Sequence, residues 1–267
     1  MGFRQSHLKG ELATLEITGL TKHFGGLAAV DEIDFNVNRG ELVGLIGPNG
    51  AGKTTVFSLI TGSLRPTRGK VVFNGKDVTG QKPHVIAKTG VVRTFQATTL
   101  FSNFSVLKNI IAACHLRSQI SLWQAVLHTP SSREREEAIL SRALEIVHFV
   151  GLDACKDQPA RSLPHGYKRI LGIAVSMAAD PQLLLLDEPL SGMNAEEVDR
   201  AVALIRRIWE RGTTILLIEH NMRAAMNLCH RIVVLQMGRK IAEGTPEEVR
   251  ANEEVIQAYL GTGKHAT

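Results

Sequence analysis

The chain has 267 residues, 44% of them hydrophobic, with 31 Lys and Arg against 26 Asp and Glu for a net charge of +5; this suits one large globular domain, or a domain with a subdomain, and an anionic ligand or membrane surface. Three cysteines, Cys114, Cys155 and Cys229, show no paired spacing, which argues against a disulfide framework or zinc site, favours the cytosol and reads as buried small hydrophobes. The longest apolar run, around Leu183 to Leu186, falls far short of the roughly 20 residues that span a bilayer, and no signal peptide precedes the first periodic segment, so any membrane role is peripheral.

Residues 1–14 lack a clear pattern and read as an N-terminal extension, leaving 15–267 as the folded domain. From Leu15 the segments LEITGLTKHF, VDEIDFNVNRG and ELVGLIG read as strands broken by Gly and Asn, which predicts an antiparallel edge at the start of the domain. KVVFNG follows, and after it the texture turns helical over about 97–180. SVLKNIIAACHLR starts with a Ser cap; SSREREEAILSRALEIVHFVG sets Ile139, Ala143 and Val147 on one face beside Leu140 and Leu144, keeps its RERE stretch solvated, and stops at Gly151. Then PQLLLLDEP, TTILLIEH and RIVVLQMG recur as apolar runs bounded by turns with helical segments between several of them, the pattern of a buried, largely parallel sheet in an α/β fold. A helical tail over about 245–262 opens with Thr245 as cap and Pro246 at the first helical position.

Two motifs carry chemistry. GPNGAGKT, residues 47–54, lies between the apolar strand ELVGLI and the helical TVFSLITG. That is the context of a phosphate-binding loop, in which Asn49, Gly50, Ala51, Gly52 and Thr55 belong to a cradle of backbone N–H groups at a helix N-terminus. Lys53 would reach the β and γ phosphates and the Thr54 hydroxyl would ligate Mg²⁺. LLLLDEP ends a buried strand in two carboxylates, which without a ligand would have to be paired or capping. Beside a phosphate loop, Asp187 is the residue that holds Mg²⁺ through water and Glu188 the base that polarises the attacking water, so the pair predicts nucleotide hydrolysis.

With these motifs in this order, the sequence resembles the ATP-binding subunits of ABC transporters from about Leu15 to Leu260. The resemblance implies a P-loop ATPase fold with ATP and Mg²⁺ as ligands. It matches Gln96 in RTFQATTLF to a glutamine that ligates Mg²⁺ and water, and His220 in LLIEHNM to a histidine on the γ phosphate. It also makes Phe24 in KHFGG the aromatic that stacks on adenine. LPHGY at 163–167 matches the signature loop, which in this family closes over ATP held by a second subunit, identical or similar; Leu163, Pro164, His165 and Gly166 would then act in trans.

Family members usually read Leu-Ser-Gly-Gly-Gln there. Pro164 has neither the hydroxyl nor an N–H to donate, so phosphate donors must come from the backbone at 165–167 and the following helix N-terminus. The Leu-Pro signature followed by Lys168 and Arg169, the GMN turn at 192–194, EHNM at 219–222, FGGL at 24–27 and AYLG at 258–261 resemble the branched-chain amino acid importers of the family. This implies a peripheral subunit on the cytoplasmic face of the inner membrane. Its partners would be membrane-spanning permease subunits, a second ATP-binding subunit and, indirectly, a solute-binding protein; no nucleic acid is expected. Import of an amide or urea, lipopolysaccharide export, a soluble ABC ATPase and a nucleotide-binding pseudo-ATPase are the rival expectations.

Overall fold

A computed structural model of the protein describes residues 13–94, 100–117 and 130–260. The early alternating segments become β1 (Ala13–Phe24), β2 (Leu27–Asn38) and β3 (Leu42–Ile46), followed by helix α1 (Lys53–Ile60), β4 (Arg68–Phe73) and the short β5 (Lys76–Asp77). β1 pairs antiparallel with β2 and β4, and β5 extends them into a separate sheet in the order β2-β1-β4-β5. The expected antiparallel edge is therefore a sheet of its own. Its residues Leu15, Ile17, Phe35 and Phe73 bury against Val43 and Leu45 of β3.

Helix α2 (Pro83–Lys88) and strand β6 (Val91–Arg93) are too short to show a period and are not readable from the pattern. The helical insertion consists of α3 (Val106–Arg117), α4 (Pro130–Val150) and α5 (His165–Ala178). The Ser105 hydroxyl accepts from the Lys108 N–H at 3.2 Å, the expected cap, and Gly151 ends α4 at φ +75°. On α4, Ala143 and Val147 are buried as expected and Glu134 to Glu137 face solvent. Leu140 and Leu144, however, are exposed: at about 100° per residue the inward stripe runs through Ala143, Ile146, Val147 and Val150, and those two leucines fall outside it.

The remainder alternates as β7 (Leu183–Asp187), α6 (Ala195–Glu210), β8 (Thr214–Ile218), α7 (Met222–Leu228), β9 (Arg231–Gln236) and β10 (Arg239–Gly244), then α8 (Pro246–Ala251) and α9 (Glu253–Leu260). The second sheet runs β10-β9-β3-β8-β7-β6, parallel except for β10, a polar edge strand that the apolar-run criterion misses. Leu183 and Leu185 pack toward the antiparallel sheet while Leu184 and Leu186 pack toward the helices, so all four are buried and no polar alternation survives in the sequence. Thr245 and Glu248 form the capping box that starts α8. The three cysteines are buried, and desolvation pushes the Cys229 thiol up to about 12. Among the described residues no helix is long and apolar enough to cross a membrane.

Register decides where chemistry can occur. Leu45 of β3 and Asp187 of β7 both pair with Ile218 of β8, so three loops leave the sheet from one edge. That edge lies at the carboxyl ends of parallel strands, where α/β sheets bind ligands.

Candidate active site

At this edge the backbone passes from β3 through GPNGAGKT into α1. A Cβ on Gly47 would lie 2.1 Å from the Leu235 carbonyl oxygen, so only glycine lets the loop leave the sheet beside β9. Gly52 enters the helix at φ +99°, and α1 has no capping side group, which leaves its first N–H groups directed at the loop for an anion. The ammonium of Lys53 is buried and donates to the carbonyls of Gly47 at 2.7 Å and Pro48 at 2.9 Å. Burial lowers its pKa, and the charges of Glu188 and Asp187 oppose that shift.

Asp187 ends β7 and Glu188 follows in the left-handed region at φ +48°, held by its N–H on the Ile218 carbonyl at 2.9 Å. This turns the Glu188 carboxylate toward β8, where its Oε1 lies 2.5 Å from His220 Nε2. A pocket of about 490 Å³ joins them: it is lined by Ala28, Asn49 to Thr55, Glu188 and His220, with Leu27 and Met237 at its apolar side. Leu27 and Met237 are 68% and 84% exposed, and sequence reasoning did not find them. Phe24 is 48% exposed with the Lys22 ammonium 5.2 Å from its ring centre. It is the register partner of Leu27 but is not among the lining residues, so the apolar wall belongs to Leu27 and Met237. Gln96 lies outside the described residues.

Two further residues escape a reading of the sequence. Arg93, the last residue of β6, donates to Asp187 Oδ2 at 2.5 Å and to the Ser58 hydroxyl at 3.3 Å, with its guanidinium 5.7 Å from the Phe57 ring centre. Glu219 is 2% exposed; its Oε1 accepts from the Leu190 N–H at 2.8 Å, and its Oε2 from the N–H groups of His220 at 3.1 Å and Asn221 at 3.3 Å. It ties the loop carrying Glu188 to the loop carrying His220. Desolvation raises its pKa despite these three donors. Glu219 opens the EHNM string at 219–222, but its link to Leu190 is long-range and is not marked by any local spacing.

Glu219→Gln is expected to lower stability by about 1–3 kcal/mol, because an amide N–H₂ would confront backbone donors. Turnover should fall with stability as the two loops loosen. The sign with pH follows from the raised value: in the wild type the folded state holds this proton more tightly, so stability falls as pH rises from 4.5 through the raised pKa. That part of the slope should vanish in the variant, as thermal melts across pH would record.

The signature lies away from this pocket. Leu163 is buried, and Pro164 is the N-cap of α5 and makes no capping hydrogen bond, so the first N–H groups of α5 are not capped by a side group. His165 Nε2 lies 3.1 Å from the Ser191 carbonyl oxygen, and a Cβ on Gly166 would fall 2.5 Å from Glu197 Oε1. Glu197 is the N3 residue of the capping box set by Asn194, so the signature and the SGMN turn form one packed surface. Tyr167 packs against the core. On the other side of the phosphate loop, the Tyr259 hydroxyl of α9 shares a hydrogen bond with the Gly47 backbone, while desolvation pushes its pKa up to about 12.

A hard divalent cation takes oxygen donors and commonly keeps phosphates and waters in its shell. Among the described residues no three His, Cys, Asp or Glu side chains converge into a cage, yet the Thr54 hydroxyl and the Asp187 carboxylate are oxygen donors placed beside the Lys53 cradle. This set fits Mg²⁺ carried in on a nucleotide.

The family model described as "ABC transporter" matches residues 30–191, and that described as "Branched-chain amino acid ATP-binding cassette transporter" matches residues 239–265. The high-affinity branched-chain amino acid transport ATP-binding proteins BraF of Pseudomonas aeruginosa and LivG of Escherichia coli are each 41% identical, covering 92% of this chain and 97% of theirs. The lipopolysaccharide export system ATP-binding protein LptB of Haemophilus influenzae is 32% identical over 94% of this chain and 98% of its own. Among solved structures, the ADP conformation of an ATP-binding cassette of an ABC transporter superposes with a TM-score of 0.82 at 28% identity, covering 94% of this chain and 99% of the other. A nucleotide-free cassette gives 0.81 at 27% identity, covering 93% and 99%.

Proposed function

The chain belongs to the ABC transporter family of ATP-binding proteins, and from that membership we propose that it is the ATP-hydrolysing subunit of an importer for branched-chain amino acids. The observation that carries the substrate class is the 41% identity to BraF and LivG over nearly the whole chain, against 32% to LptB. The match of residues 239–265 to the second family model, that of the branched-chain amino acid cassettes, supports the same reading.

The residues divide the reaction as follows. Lys53 and the amides of Asn49 to Thr55 hold the phosphates; Leu27 and Met237 offer an apolar wall to the base, with Phe24 at its margin. Thr54, Asp187 and Gln96 would hold Mg²⁺, which when bound would neutralise phosphate charge. Glu188 accepts a proton from the water that attacks the γ phosphorus, the bond to ADP breaks, and phosphate leaves. His220 holds the Glu188 carboxylate at 2.5 Å and, as a lining residue of the same pocket, would contact the γ phosphate. Leu163, Pro164, His165 and Gly166 would close over the ATP of a second ATP-binding subunit, with the start of α5 supplying the phosphate donors that Pro164 lacks.

Permease subunits are the other partners, and the insertion offers them Phe101 and Phe104, exposed, with tilted rings whose centres lie 5.1 Å apart. A place on the cytoplasmic face of the membrane follows from that docking, and a solute-binding protein would meet the permease from the other side. Capture of the tagged protein from mildly solubilised native membranes should bring down two polytopic proteins and a second ATPase, identified by mass spectrometry. Recovery from the soluble fraction alone would overturn the transporter reading. Reconstituted with its partners, the complex should take up leucine, isoleucine or valine on ATP; uptake of an amide or urea instead would move the substrate class.

A further inference from the structure

We propose that Arg93 is a counter-ion latch: its guanidinium holds the Asp187 carboxylate and competes for it with the Mg²⁺ that enters with ATP. The latch rests on the Mg²⁺ and ATP site described above. Asp187 is a carboxylate with only 7% of its side chain exposed, at the end of an otherwise apolar strand, and such a charge needs a partner in every state. In this structure the partner is Arg93, at 2.5 Å from Oδ2. The main chain fixes the pair in place. Arg93 and Leu185 are register partners across β6 and β7, and the Thr94 hydroxyl accepts from the Asp187 N–H at 3.1 Å.

The guanidinium and the metal compete for one carboxylate. A guanidinium on Oδ2 neutralises the charge that a divalent cation would otherwise meet, and its own charge opposes the cation at short range. Arg93 also has somewhere to remain when displaced, because the Ser58 hydroxyl at 3.3 Å and the face of Phe57 contact the same guanidinium from α1. The exchange therefore needs a side-chain rotation: Asp187 passes to the metal, and the guanidinium keeps the Ser58 hydroxyl and the Phe57 ring as its contacts. Arg93 acts through Asp187 and is a positioning residue.

The test uses the full-length protein on a Glu188→Gln background, where turnover is blocked. Mg²⁺ is titrated into protein with a fluorescent ATP analogue, and thermal melts are recorded with and without Mg²⁺ and nucleotide. In Arg93→Met the Mg²⁺ concentration at half-saturation should drop by about threefold or more, while analogue affinity in EDTA stays within about twofold. The nucleotide-free melting temperature should fall and recover with Mg²⁺ and nucleotide, because the metal replaces the missing partner. Arg93→Lys, which keeps the charge without the guanidinium fork, should shift half-saturation the same way by less, and it decides the matter if the methionine variant does not fold. Half-saturation at or above the parent value in the folded variants, or an equal fall in melting temperature in both states, would overturn the latch. Absence of any Mg²⁺ dependence in the Glu188→Gln parent would instead overturn the ATPase site on which the latch rests.

Discussion

Replacing Glu188 by glutamine is expected to lower ATP turnover by roughly 10²- to 10⁴-fold while leaving nucleotide binding intact. Shape is the reason that binding survives. Glutamine is isosteric, keeps the backbone conformation at φ +48° that the turn after β7 imposes, and still offers an oxygen to His220 at the 2.5 Å contact. What it loses is the ability to accept the proton of the attacking water. ATP bound without hydrolysis should keep two ATP-binding subunits closed on each other, visible as a nucleotide-dependent dimer in size-exclusion chromatography. A variant that turns over ATP at near wild-type rates would remove Glu188 from the role of base.

Lys53→Ala should weaken ATP binding by about 10- to 100-fold, the worth of a charge-assisted hydrogen bond of about 1.5–3 kcal/mol. Lys53 is the only Lys or Arg among the described residues lining the pocket, and its ammonium is already aimed by two carbonyls at 2.7 and 2.9 Å. Alanine leaves those carbonyls without this donor and the phosphates without a cation. A pH signature accompanies it. Because burial lowers the Lys53 pKa from 10.5, wild-type affinity for ATP should decline as pH rises through that lowered value, and the decline should be absent from the variant. Calorimetric titration across pH would check both, and an affinity for the alanine variant within twofold of wild type would exclude the contact.

Much of the fold is legible in the sequence because its signals are local. The strand, glycine loop and helix around residues 41–60 are contiguous, and each part has a composition that little else explains. The four leucines ending at Asp187 identify a strand buried on both faces before any contact is known. The Ser105 and Thr245 caps are readable for the same reason: each bond closes within three residues. β6 and α2 are not readable, since three and six residues cannot express a period. Leu140 and Leu144 mislead because apolar type suggests the inward face of α4 where the helical angle decides otherwise.

Residue type at a fixed short spacing is enough to specify the phosphate loop and the paired carboxylates, while the histidine after β8 and the departure at Pro164 are legible through the family resemblance. How these groups are held is a matter of tertiary contact. Arg93 meets Asp187 across 94 positions, Glu219 meets Leu190 across 29, and His165 meets Ser191 across 26. Leu27 and Met237, not Phe24, line the pocket for the same reason, as one comes from the β1–β2 hairpin and the other from the turn between β9 and β10. These pairings follow from sheet register and the direction each loop takes on leaving it, which are fixed by burial of both sheet faces at once rather than by any single stretch of sequence.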